Sequence, residues 1–348
     1  MLIDSKENRS AFDKLIREVR TGQTLAFTGA GTSAEVGYPT WARLIETLAR
    51  RTRDKVGDNV RWGDTDIPIE VAEGLDFLVS AQIFAGVLGQ EYYSILSHEF
   101  GPKDVSHPDI QTLVDLPFRH FLTSNYDPTL ETNLSVPGTP CPFLCLHDNQ
   151  AASAFLCNLA DKQQQRHVVH VHGRYDGPEG IVLTEEQYGS HYTNSAVVKG
   201  FWTIVTVRES CVFFGFSFRD LDLLTGFRTA KREFALRSRH FGVLPLADGV
   251  PEAGERVRLE LTYGIQPVFF SPVDEKYSGY GQLLKMIKEL TQTSPSPSFV
   301  SPDRVAPQLS TGSTPGAETR SDKESADVRS LLKLTKNNLR KHRTGGQL

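Results

Sequence analysis

The residues with the clearest chemical potential follow a short apolar run, residues 25–28. Glycine gives a turn after a strand its backbone freedom, and it lets that backbone approach a pyrophosphate group closely. The pattern therefore predicts a strand that leads into a phosphate-binding turn. The third glycine of the common dinucleotide fingerprint is missing, so the turn alone does not identify a ligand. This candidate turn comprises Gly29, Ala30, Gly31, Thr32 and Ser33.

Two further polar segments also follow apolar runs. The first contains Asn125, whose side-chain amide can both donate a hydrogen bond to a water molecule and accept one from it. The second contains His172 before Gly173, and an imidazole with an ordinary pKa of about 6.5 suits a general base at neutral pH. Two structural alternatives stay open. Asp127, which precedes Pro128, can cap the next turn, and His172 can bond to the backbone at a strand end.

Possible metal ligands are scattered along the chain. His170 and His172 share one face of a predicted strand, but no third ligand accompanies them at a fixed spacing. A structural zinc site normally needs two closely spaced cysteine pairs, and the chain has no Cys-x-x-Cys pair. We therefore expect no metal and ordinary reduced thiols at Cys141, Cys145, Cys157 and Cys211.

The alternation of patterns indicates how these residues are positioned. Helical spacing of apolar residues separates most of the predicted strands, which predicts an α/β, Rossmann-like, doubly wound and mainly parallel sheet. In such a sheet, ligands bind at the carboxyl ends of the strands, where all the motifs stand. A stretch without convincing strands, about residues 54–115, predicts a helical insertion with helices over 77–88 and 91–100. The predicted strands cover residues 24–28, 119–123, 167–171, 181–184, 211–216, 240–246 and 265–270.

Composition limits the classes of function. The net charge of −4 argues against a general nucleic-acid binder, and the apolar fraction of 39% suffices for a substantial core. No apolar run approaches the length of about eighteen residues that a membrane span needs. The first residues also lack the layout of a secretory signal peptide. We therefore expect a cytoplasmic protein.

The chain changes character near residue 290. Residues 1–290 are predicted to form the catalytic domain, and residues 291–322, rich in Ser, Thr and Pro, a flexible linker. Residues 323–348 are predicted to contain a short basic helix. Seven Lys or Arg residues against two Asp or Glu residues give positions 323–343 a net charge of +5.

Taken together, these motifs resemble the sirtuin superfamily of NAD-consuming enzymes, and most of all the bacterial sirtuin-like proteins of anti-phage defence. The resemblance implies that residues 29–33 bind the pyrophosphate, that Asn125 orients the ribose and the attacking water, and that His172 is the general base. The resemblance also implies that Asp127 holds the nicotinamide carboxamide. Further cofactor contacts are implied at Pro39, Trp41, Ser124, Tyr126, Gly215, Phe216 and Ser217.

Departures from the sirtuin pattern narrow the implied chemistry. The four-cysteine zinc ribbon of protein-deacylating sirtuins is absent from the sequence, so water is favoured as the acceptor of the ADP-ribosyl group. The expected function is therefore an NAD glycohydrolase that takes NAD as its substrate and releases nicotinamide and ADP-ribose. The alternatives are a protein deacylase or ADP-ribosyltransferase, and a non-catalytic NAD or ADP-ribose sensor within a complex.

The resemblance also implies a biological setting. Such proteins act as toxic effectors of abortive infection, in which NAD depletion arrests the infected cell. We therefore expect a homo-oligomer, or a partner such as a helicase-like ATPase or an Argonaute-type protein. Neither a membrane nor direct nucleic-acid binding by the catalytic domain is expected.

Overall fold

A computed structural model describes residues 2–103, 107–159, 161, 164–218, 221–234, 239–247, 249–272 and 278–292. The predicted linker and basic helix lie outside these residues from position 293 onward. The strands are β1 (Leu25–Thr28), β2 (Asn59–Trp62), β3 (Thr65–Pro68), β4 (Phe121–Thr123), β5 (Phe143–Cys145), β6 (Val168–His170), β7 (Cys211–Phe214), β8 (His240–Pro245) and β9 (Ile265–Phe270).

Seven of these strands form one sheet in the order β5-β6-β4-β1-β7-β8-β9. Every ladder described in this sheet is parallel, which confirms the predicted α/β doubly wound arrangement. From β1 the chain moves outward through β4 on one side, and it returns at β7 on the other side. The loops after β1, β4 and β7 therefore open side by side at the centre of the carboxyl edge, where such sheets bind ligands.

The helices cover both faces of the sheet. They are α1 (Lys6–Arg20), α2 (Ala30–Ala34), α3 (Trp41–Val56), α4 (Ile69–Glu73), α5 (Phe77–Leu88), α6 (Gln90–Glu99), α7 (Pro108–Val114), α8 (Thr129–Leu134), α9 (Asn149–Asn158), α10 (Glu185–Asn194), α11 (Ala196–Val207), α12 (Leu221–Glu233), α13 (Glu252–Tyr263) and α14 (Ser278–Gln292). In β1, Ala26 points into the apolar core beneath α1, α7 and α14, and Phe27 points into the core beneath α9, α11, α12 and α13. None of the described helices is long and apolar enough to cross a bilayer.

The segment between β1 and β4 packs against loops at the carboxyl edge. The Ser97 hydroxyl on α6 donates to the Tyr175 carbonyl at 2.8 Å, beyond the end of β6. The Glu186 backbone N–H at the start of α10 donates to the Gln82 side chain on α5 at 3.2 Å. The helices of this segment thus brace the loops that follow β4 and β6.

Several local predictions need correction. The stretch 54–115 contains the antiparallel hairpin β2–β3, which the sequence analysis missed because only Val60 of its eight residues is fully buried and no alternation is visible. The predicted strand 181–184 is irregular: its Val182 N–H donates to the His172 carbonyl at 2.8 Å without joining a ladder. Edge strand β5 was missed because it is short and only Leu144 of its three residues is fully buried. Helix α10, which precedes α11, was not predicted from the sequence either.

Gly173 provides a test of the loop that follows β6. Its φ is +86°, and a Cβ there would lie 2.2 Å from the Gly180 carbonyl oxygen. Gly173→Ala should therefore lower the free energy of unfolding by about 2 kcal/mol or more, measured by urea denaturation. The control is Gly200→Ala within α11, where a Cβ meets open space and should stabilise the helix slightly. Equal stability of the two variants would contradict this account of the loop.

Candidate active site

The floor of the candidate site is a contact between two backbones. The Gly31 N–H donates to the Gly215 carbonyl at 2.9 Å, and the Gly29 N–H donates to the Phe214 carbonyl at 2.9 Å. A Cβ on Gly31 would lie 2.9 Å from the Gly215 Cα, and one on Gly215 would lie 2.5 Å from the Thr32 nitrogen. Side chains are therefore excluded here by the approach of the loops after β1 and β7, before any ligand is considered.

Asn125 ties the loop after β4 to the loop after β1. Its amide nitrogen lies 3.0 Å from the Gly29 carbonyl, 3.2 Å from the Thr32 hydroxyl and 2.7 Å from the Ser33 hydroxyl. Three acceptors around one atom identify it as the NH₂ group. The amide oxygen, for which the described residues offer no donor, is left for a ligand or a water molecule.

Asp127 continues this network below the loop. Its carboxylate accepts from the Thr129 N–H at 3.1 Å and is also hydrogen-bonded to the Ser33 side chain. Burial raises the pKa of Asp127, and the hydrogen bonds from Thr129 and Ser33 oppose that rise. The capping alternative is thus correct for Asp127, and its contact with a nicotinamide carboxamide stays a prediction.

A buried charged cluster supports Asn125 from the backbone side. His170 Nδ1 lies 2.9 Å from the Asn125 carbonyl, and His170 Nε2 lies 3.2 Å from Glu131 Oε1. The Arg174 Nε donates to the same carboxylate oxygen at 2.7 Å, and this guanidinium also pairs with Asp176. Burial raises the pKa of Glu131, but His170 and Arg174 outweigh it and hold the pKa below its usual value. Both ring nitrogens of His170 face oxygen atoms, so the ring bridges the Asn125 carbonyl and the Glu131 carboxylate.

His172 lies in a separate aromatic pocket. Its Nε2 is 2.7 Å from the Tyr192 hydroxyl and its Nδ1 is 3.4 Å from the Tyr188 hydroxyl, while His191 packs against its ring. Burial lowers the pKa of His172 to about 3, far from the ordinary value expected for a general base. The sequence analysis missed these three residues of α10, although their i, i+3, i+4 spacing places them on one helical face.

The remaining predicted residues fall into two groups. Tyr126 and Phe216 point into the core: the Tyr126 hydroxyl donates to the Val182 carbonyl, and the Phe216 ring packs on Phe27. These two side chains support the site from its core side. The second group consists of residues that are partly buried or exposed: Ala30, Pro39, Trp41, Ser124 and Ser217.

Potential metal ligands come together once within the described residues, and not at His170 or His172. Ligand atoms of Glu35, His107 and Asp109 lie within 4.8 Å of one another. His107 Nδ1 is 3.5 Å from Glu35 Oε2, and burial raises the pKa of Glu35. The four cysteines are unpaired thiols. The absence of a metal stays a prediction, which elemental analysis of the purified protein can check.

Part of the chain matches the model of a known family. The profile of the SIR2-like domain matches residues 119–268, the part of the chain from just before β4 into β9. This part of the chain is therefore similar to the SIR2-like domain, which confirms the resemblance to sirtuin-like proteins.

Individual relatives match the chain at low identity. NAD(+) hydrolase ThsA of Acinetobacter baumannii is 23% identical over 219 residues, which cover 62% of this chain and 41% of that protein. NAD(+) hydrolase ThsA of Bacillus cereus is 26% identical over 215 residues, 60% of this chain and 40% of the relative. Defense-associated sirtuin 2 of Bacillus subtilis is 22% identical over 208 residues, 59% of this chain and 19% of the relative. The matches thus span about two fifths or less of these curated relatives.

Glu131 should contribute strongly to stability because its carboxylate is buried between the Arg174 guanidinium and the His170 ring. Glu131→Gln should cost about 3 kcal/mol in urea denaturation at pH 7. The control is Asp176→Asn, at the half-exposed partner of Arg174, which should cost about 1 kcal/mol or less. Because the pKa of Glu131 is lowered in the folded chain, its stabilisation is present above the unfolded pKa of about 4.3 and is lost as the pH falls through the folded pKa. A loss no larger than that of the control would contradict the charged cluster.

Proposed function

We propose that this chain hydrolyses NAD to nicotinamide and ADP-ribose. The observation that carries the proposal is the fixed orientation of Asn125, whose NH₂ group is held by three oxygens of the glycine turn. The glycine turn, which is expected to hold the pyrophosphate, therefore also fixes the direction of the Asn125 amide oxygen. The names of the relatives, NAD(+) hydrolase and defence-associated sirtuin, support the same reaction.

Hydrolysis breaks the bond between the ribose carbon and the nicotinamide nitrogen. Neutral nicotinamide leaves with the bonding electron pair, and the ribose acquires oxocarbenium character. The Asn125 amide oxygen is suited to accept a hydrogen bond from the incoming water and to face the positive charge. Water then forms the new carbon–oxygen bond, and the proton it loses passes to the solvent.

His172 contributes differently from the general base that the sequence analysis expected. A buried ring with a pKa of about 3 is neutral at physiological pH and holds a proton poorly. The oxocarbenium-like carbon is a strong electrophile, so its capture by water does not need a strong base. We therefore assign His172 a positioning role: its two ring nitrogens face the hydroxyls of Tyr192 and Tyr188, and the buried ring fixes these two side chains beside the site.

Water is the proposed acceptor, in preference to an acyl-lysine peptide. The cysteines lie on separate elements, with Cys211 buried in β7 and Cys157 exposed on α9, so they do not form the ribbon of deacylating sirtuins. A cytoplasmic role in anti-phage defence, with homo-oligomer formation or a partner protein controlling activity, completes the proposal. Of these features, the defence role is supported by the name of one relative, defense-associated sirtuin 2.

The reaction is tested by incubating the purified chain with NAD and separating the products by chromatography. The wild type should release nicotinamide and ADP-ribose in equal amounts. Asn125→Ala should reduce the rate about 100-fold or more, because the water and the developing charge lose their fixed partner. Asn133→Ala, the same deletion on α8, is the matched control. Wild-type rates in Asn125→Ala, with unchanged circular dichroism, would refute the assignment.

The ionisation of His172 is measured separately. Burial should keep its ring neutral between pH 5 and pH 8, which nitrogen NMR of ¹⁵N-histidine-labelled protein detects directly. His172→Gln assigns the signal, and the same variant should lose NAD cleavage because it removes the oriented imidazole. A titration of the His172 signal centred near 6.5 would restore the general-base role and contradict the role proposed above.

A further inference from the structure

A second polar site lies at the opposite edge of the sheet. A cleft of about 240 Å³ opens where the chain enters β1, β4, β7 and β8. Arg119 precedes β4, Arg208 and Glu209 precede β7, and Arg239 precedes β8. The candidate active site occupies the carboxyl ends of these central strands, so the cleft is separate from it.

Arg119 is the unusual residue of this cleft. Its side chain is only 9% exposed, and its Nη1 lies 3.7 Å from Glu209 Oε2, beyond hydrogen-bonding distance. Its Nε and Nη2 are buried and have no hydrogen-bond partner among the residues that the structure describes. Buried charged donors are rarely left without acceptors, because the loss of their hydration is costly. The two nitrogens form one edge of the guanidinium fork, the shape that matches two oxygens of a phosphate or carboxylate.

Glu209 does not neutralise the cluster by itself. Its buried carboxylate is shared between Arg119 and Arg208, whose Nε is 3.5 Å away, and neither contact is a hydrogen bond in the structure. Arg239 also acts on this carboxylate electrostatically. Burial raises the pKa of Glu209, and the three arginines oppose that rise. With Glu18 at the rim, three guanidinium groups face two carboxylates, which leaves a net positive charge for an anion to offset.

We propose that this cleft binds a phosphate group, with the Nε and Nη2 of Arg119 as its buried donors. A phosphate offers more acceptor oxygens than a carboxylate, and three arginines surround the position it would take. The cleft is smaller than the roughly 300–1,000 Å³ of pockets that enclose whole drug-sized ligands. It therefore admits the phosphate and leaves any attached group outside. Free inorganic phosphate and a phosphate monoester share this chemistry.

Binding is tested by calorimetry on the full chain, without NAD and at low ionic strength. Inorganic phosphate and adenosine monophosphate are titrated separately. The wild type should take up one equivalent, and Arg119→Gln should weaken the affinity about tenfold or more. Arg239→Gln should also weaken the affinity for phosphate. Because Arg239 is exposed, this variant should fold even if Arg119→Gln does not, and the test then remains decisive. Arg50→Gln, at an exposed position on α3, is the matched control and should bind as the wild type does.

A further variant separates the two edges of the sheet. Ser33→Ala alters the glycine turn and should leave phosphate affinity unchanged, because the cleft is at the other end of β1. Tighter binding of adenosine monophosphate supports a phosphate monoester as ligand, and equal binding supports free phosphate. No uptake by the wild type overturns the proposal. So does affinity that survives Arg119→Gln and Arg239→Gln but is lost in Ser33→Ala, since the anion would then lie in the glycine turn.

Discussion

The contact between Gly31 and Gly215 is the constraint on which the candidate site depends. It lets the loops after β1 and β7 meet backbone to backbone, with an N–H to carbonyl distance of 2.9 Å. Any Cβ on either glycine would collide with main-chain atoms, which cannot swing away as a flexible side chain can. The glycines are therefore required by the contact between the two loops. A pyrophosphate would bind on the surface that this contact forms. Thr32 and Ser33, carried by the same turn, are then correctly placed to hold the Asn125 amide.

Charge buried beneath the loops completes the positioning. The chain from Asn125 through His170 to Glu131 and Arg174 fixes the backbone carbonyl of Asn125, while the glycine turn fixes its side chain. Such a cluster holds its geometry only while every member is paired, because an uncompensated charge in the interior is costly. Asn125 is thus held from two directions, as its proposed role of directing a water molecule requires.

The sequence was informative where chemistry and strand ends coincide. A glycine turn after an apolar run, and Asn125 two residues beyond β4, could be placed at one edge because parallel strands end together. Properties that arise from burial could not be predicted from the sequence. The low pKa of His172 results from its packing against α10, a helix that the sequence analysis did not predict. Tyr126 illustrates the same limit. It belongs to a chemical motif, yet its ring packs on Phe100 in the core. The hairpin β2–β3 was not predicted because its strands are short and mostly exposed.

The central claim, that NAD is held at the carboxyl edge by the loops after β1 and β4, can be mapped by hydrogen–deuterium exchange. A non-hydrolysable NAD analogue keeps the ligand intact during labelling, and peptides covering residues 29–33 and 124–127 report on the two loops. Binding should slow exchange at both, because the ligand would add contacts between two loops that Asn125 and its partners already connect. Protection confined to other parts of the chain, with both loops exchanging as in the free protein, would contradict the account.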